Sequence, residues 1–65
     1  MKKFVVTTTS ESGDNYIYFF QSKKKPTQKQ IDDWLLENGN DTDGETCYEN
    51  VQSIVEVLPE SWQIL

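Results

Sequence analysis

The chain contains no histidine, a single cysteine (Cys47) and no apolar run longer than a few residues. One cysteine cannot close an intrachain disulfide, and without imidazole most transition-metal ligand sets are out of reach. No stretch approaches the roughly 20 apolar residues that a transmembrane helix needs. The opening "MKKFVVTTTSES" starts basic, but its apolar run is too short for a secretory h-region, which predicts a cytoplasmic protein with Cys47 reduced. The Asn40-Asp41-Thr42 triplet is then a loop by composition and not a glycan acceptor. A Ser/His/Asp set, a Cys–His pair and a Gly-rich phosphate loop are also missing. The sequence therefore predicts no enzyme, no cofactor and no metal.

What is present is small and strongly polarised. Sixty-five residues make one domain, 1–65, of marginal stability, because so short a chain buries only about 60% of its unfolded surface. Eight aromatic residues supply large contact areas from few side chains. All six lysines lie in residues 1–30 with only Glu11 and Asp14 against them, a local charge of +4. Residues 31–65 carry nine acids and no base, −9, so that the whole chain stands at −5. Such a chain is repelled by nucleic acid and anionic membranes and attracted to basic protein surfaces.

Residues 3–10, "KFVVTTTS", are β-branched and aromatic and predict a strand. "ESGDN" is a turn cluster in which Gly13, Asp14 and Asn15 tolerate positive φ, and "YIYFFQS" (16–22) is a second strand, so the two form a hairpin. Tyr16, Tyr18 and Phe20 share one face, with Ile17 and Phe19 on the other. A strand apolar on both faces is central, or it leaves one face for a partner, including a second copy of the chain. "TQKQIDDWLLENG" has a capping box in Thr27 and Gln30, a stripe of Ile31, Trp34 and Leu35, and Gly39 where a left-handed C′ residue belongs. "NVQSIVEVLP" predicts a strand over about residues 51–58, stopped by Pro59; the apolar Trp62, Ile64 and Leu65 are expected to pack back. The order ββαβ is an α+β fold, one helix on a three-stranded, mostly antiparallel sheet, with strand order 1-2-3 or 2-1-3. The two apolar faces of "YIYFF" and the threonine run of the first strand favour 1-2-3, with the second strand central and the first at an edge.

Candidate chemistry is thin. Setting "NGNDTDGETCYEN" (38–50) as a calcium loop with Gly44 sixth puts Asp41 and Asp43 at ligand positions, but Gly39 falls first and Asn50 twelfth, where carboxylates belong. The segment is expected instead to be a polar connection delivering Cys47 and Tyr48 to the core. Glu45 and Glu49 flank Cys47 and disfavour its thiolate, so a packing role is expected. The pairs Asp32/Asp33 and Asp41/Asp43 fit a solvated face better than acid–base work.

Two binding readings remain. Asp32, Asp33, Glu37, Asp41, Asp43, Glu45 and Glu49 make an acidic helix–loop face that suits a partner protein with a basic surface. Size and composition resemble those of small anionic proteins encoded by phages and mobile elements, which inhibit partners or imitate nucleic acid; no motif carries that likeness. The alternative is single-stranded nucleic-acid binding through Lys23, Lys24 and Lys25, with Tyr16, Tyr18 and Phe20 as a stacking platform.

Overall fold

The computed structural model describes residues 1–65 and contains four main elements: β1 (Lys2–Ser10), β2 (Asn15–Ser22), α1 (Gln28–Asn38) and β3 (Glu49–Glu56), followed by a single 3-10 turn, Pro59–Ser61. The sheet is antiparallel throughout in the order β2-β1-β3, with α1 packed on one face. Of the two orders that the sequence leaves open, 2-1-3 forms and the favoured 1-2-3 does not, so β1 is the central strand. The threonine run does not confine β1 to an edge because its hydroxyls find partners. Thr8 Oγ1 donates to Glu49 Oε1 at 2.6 Å, Thr7 and Ser53 pair through their hydroxyls, and Ser10 Oγ accepts from the Asp14 amide. A satisfied hydroxyl can be buried at little cost.

The hairpin turn forms as the composition predicts, with Gly13 at φ 91°. Alternation along β1 then sends Phe4, Val6, Thr8 and Ser10 to the buried face. Tyr18 joins them from β2, and Ile31 and Leu35 from α1 complete the core, with Tyr16, Phe20, Cys47, Val51 and Ile54 packed around it. Trp34 stands at the margin, its ring edge-on to Phe20 (centroids 4.9 Å) and Tyr18 (5.4 Å). The capping box is present in both halves: Thr27 Oγ1 accepts from Gln30 N–H, and Gln30 Oε1 from Thr27 N–H. β3 begins two residues before its expected start. A bulge between Thr7 and Thr8 leaves Gln52 as the extra residue between Val51 and Ser53.

Two further expectations are corrected. Trp62 is 71% exposed and Ile64 and Leu65 wholly so; the end of the chain does not return to the core. Tyr48 likewise stays outside, donating its hydroxyl to Asp43 Oδ2 at 3.0 Å. No helix is long and apolar enough to cross a membrane.

The elements meet at Glu49, which is only 4% exposed. Its Oε1 accepts from Thr8 on β1 and from Tyr18 on β2, both at 2.6 Å. Its Oε2 accepts from the backbone N–H groups of Asn40 (2.8 Å) and Asp41 (3.0 Å), just past the end of α1. The Tyr18 hydroxyl in turn accepts from the Asn40 side-chain amide at 2.8 Å. Burial would push the Glu49 carboxyl upward, but these four donors outweigh it and hold the group below its ordinary value of 4.5. Gly39 is not left-handed, at φ −68°; its lack of a side chain serves close approach instead. A Cβ there would lie 2.6 Å from both Glu49 Oε2 and the Leu35 carbonyl oxygen.

Two outcomes follow from this junction. Gly39→Ala is expected to cost about 2 kcal/mol in urea denaturation, as overpacking of a filled site does. A depressed carboxyl stabilises the fold above its unfolded value and loses that contribution as pH falls through its folded value. The urea midpoint should therefore fall on acidification below pH 4.5. Glu49→Gln should flatten that limb and lower stability at neutral pH by about 2 kcal/mol, since the carboxamide keeps a single accepting oxygen for four donors and its hydrogen bonds are no longer charge-assisted.

Candidate interaction surfaces

Hairpin topology sorts the charges by end. β1 starts with Lys2 and Lys3, β2 ends beside them, as the Lys2↔Ser22 pairing shows, and Lys23–Lys25 follow directly. α1 begins at the same end with Lys29 in its first turn, so all six lysines gather at one pole, where the end of β3 adds Glu56 beside Lys2 and Lys3 and the following turn adds Glu60. The opposite pole holds the hairpin turn with Glu11 and Asp14, the last turn of α1 with Glu37, and the connecting loop with Asp41, Asp43 and Glu45. The Glu11 N–H donates to the Tyr48 carbonyl at 3.0 Å and ties hairpin and loop together. Tyr16 registers the clustering: burial pushes its hydroxyl up first, then the negative charges of Asp14, Asp41 and Glu49, from three different segments.

Only one ion pair forms, Lys29 with Asp33 at 3.0 Å on the exposed side of the helix. The helix itself adds to the polarity. Its first turn carries no acid and its last turn no base, the reverse of the arrangement that offsets a helix macrodipole. The partial negative charge of its C-terminus thus sits among the carboxylates, and the partial positive charge of its N-terminus among the lysines.

Within the acidic pole the loop is tightly ordered. Asp43 Oδ1 accepts from the backbone N–H groups of Thr46 (2.6 Å) and Glu45 (2.9 Å), and these bonds with the Tyr48 hydroxyl hold its carboxyl below the usual range. The same contact pushes the Tyr48 hydroxyl up. Gly44, at φ 88°, makes the tight turn possible.

The residues expected at the acidic face divide accordingly. Glu37, Asp43 and Glu45 are exposed, Asp32 and Asp41 are half-buried, and Asp33 is paired with Lys29. Glu49 is corrected: its carboxylate is sequestered inside the fold and offers nothing to a partner. Glu11 and Asp14 join the surface instead, and the hairpin reading already implied that a turn must return opposite the strand ends that carry the lysines. In the lysine patch, Lys23, Lys24 and Lys25 are exposed and border a shallow polar concavity with Ser22, Thr27 and Gln30. Its expected platform is corrected as well. Tyr18 is buried, and Tyr16 and Phe20 are half-buried on the helix-covered side, where no base can stack on them.

A second surface is the sheet face opposite the helix. The strand register sets Phe19, Val5 and Val55 in one row and Ile17, Thr7 and Ser53 in the next. Phe19 is 78% exposed and Ile17 61%. Trp62 sits beside Val57 and Lys3 and rims a groove at the lysine end that includes Val5, Phe19 and Gln21. Lys3 is the one charged side chain that the alternation of β1, β2 and β3 points to this face; no carboxylate does. Neither a protein-family model, nor a curated protein, nor a solved structure matches this chain, so any functional reading rests on these two surfaces.

Proposed function

We propose that this chain is a cytoplasmic protein-interaction module that docks through its acidic pole on a basic surface of a partner protein. The observation that supports this reading is the separation of unpaired charge: carboxylates from the hairpin turn, the helix end and the connecting loop converge at one end, and the helix dipole runs in the direction that reinforces them. Concentrating like charge lowers the stability of a small fold, and local departures from stabilising patterns belong where a function needs them. A field of this kind steers encounter with a polycationic surface and fixes orientation. Partners whose own ligand is a polyanion form the natural class, which makes inhibition by imitation of phosphate charge the specific form of the proposal.

Exposed acids that make no hydrogen bond provide the test. Glu11, Glu37 and Glu45 can be changed together to glutamine without touching the loop's internal bonds. Partners captured on the immobilised protein at about 50 mM salt should be released at about 500 mM, where the screening length drops to a few ångströms. The triple variant should capture at least about tenfold less, with a wild-type circular dichroism spectrum. Equal retention at both salt concentrations, or by the triple variant, would remove the acidic pole from recognition. A shift of labelled single-stranded oligonucleotide that is lost in Lys23/Lys24/Lys25→Ala would move the function to the lysine pole.

A further inference from the structure

We infer that the open face of the sheet is the contact surface of a homodimer, in which two copies stack their sheets face to face with strands antiparallel and helices outward. The inference stands on the sheet face and is independent of what the acidic pole binds.

The molecule is a half-covered slab. Its principal extents are 40 × 27 × 14 Å and its radius of gyration is 12.9 Å, against about 11 Å for a compact chain of this length. Only five hydrophobic residues are fully buried, all on the helix side: Phe4, Val6, Tyr18, Ile31 and Leu35. Ile17, Phe19, Val55 and Trp62 remain in solvent, an arrangement that monomeric proteins of this size seldom tolerate in one contiguous patch.

Charge selects the occupant. Two copies that each carry −5 repel one another almost everywhere, and the face without carboxylates is where they can approach. The direction of stacking is set the same way. A two-fold axis perpendicular to the strands lays the lysine pole of one copy over the acidic pole of the other, so that Lys3 approaches the turn bearing Glu11 and Asp14. An axis along the strands would lay like poles together, which costs several kcal/mol across an interface. The area is sufficient. Phe19 and Trp62 each expose roughly 150 Å², so four rings in the pair contribute about 600 Å². Val5, Ile17, Val55, Thr7 and Ser53 bring the total to about 1,000 Å², the lower bound for a specific association. An interface at that lower bound belongs with the weak, reversible associations. The two helix–loop surfaces would then face outward on opposite sides, with Glu37, Asp43 and Glu45 free.

Sedimentation equilibrium from about 10 μM to about 1 mM should give a concentration-dependent rise from the 7.6 kDa chain to twice that mass, with a melting temperature that rises in parallel. Phe19→Lys, at a side chain already in solvent, should keep the monomer's circular dichroism spectrum and weaken association at least about a hundredfold. A nitroxide on Ser12→Cys in a Cys47→Ser background, mixed with unlabelled isotope-enriched chain, should broaden the amide signals of Lys2 to Phe4 in the other copy. A chain that stays monomeric at about 1 mM overturns the proposal. A dimer indifferent to Phe19→Lys, or broadening at the second copy's own hairpin turn, overturns the face or the antiparallel arrangement respectively.

Discussion

The buried carboxylate of Glu49 is the contact on which the architecture depends. It is the first residue of β3, beside the end of α1, and its two oxygens take hydrogen bonds from β1, β2 and the chain just past the helix. No lysine reaches it; every donor is neutral. A buried charge satisfied in this way is expensive to misplace, because any shift of the helix end or of β3 leaves it without partners in a medium that cannot hydrate it. The result is a fixed meeting point in a domain whose hydrophobic core is too small to dictate one by packing alone. Gly39 is part of the same arrangement, since its bare backbone lets the carboxylate approach the helix end.

That junction also anchors the acidic pole. With β3 started at Glu49 and the loop closed by Asp43 and Gly44, Asp41, Asp43 and Glu45 are brought beside the hairpin turn. The opposite charges cannot neutralise them, because antiparallel strands and the helix that follows return every lysine to the far end. Charge separation along the chain thus becomes in large part charge separation in space, with Asp33 on Lys29 and Glu56 beside Lys2 and Lys3 as the exceptions. The molecule is 40 Å long, several times the roughly 8 Å screening length of physiological salt, so charges at its two ends are screened from one another. Each pole therefore presents its own field to an approaching molecule.

The sheet divides the molecule in the other direction. One helix covers one face, and the pleat delivers as much aromatic and aliphatic surface to the uncovered face as to parts of the core. Phe19 and Phe20, neighbours in sequence, end in opposite environments for that reason alone: Phe20 packs against Trp34, and Phe19 stands in solvent. The acidic pole and the uncovered face are set by different constraints, loop closure in one case and strand alternation in the other.

Local chemistry determined most of the secondary structure. The Thr27–Gln30 box and the spacing of Ile31 and Leu35 define α1, Gly13 defines the turn, and β-branched and aromatic runs define the strands; each of these signals depends on residues a few positions apart. The gathering of lysines at one end was also legible, once a hairpin is accepted. Tertiary structure alone decided the central place of β1, since the partners of the Thr7 and Thr8 hydroxyls lie 46 and 41 residues away. It alone decided that Glu49 is interior and Glu45 exterior, although both are glutamates in one polar stretch. Burial of a carboxylate depends on donors converging from separate elements, and sequence spacing does not report which donors converge.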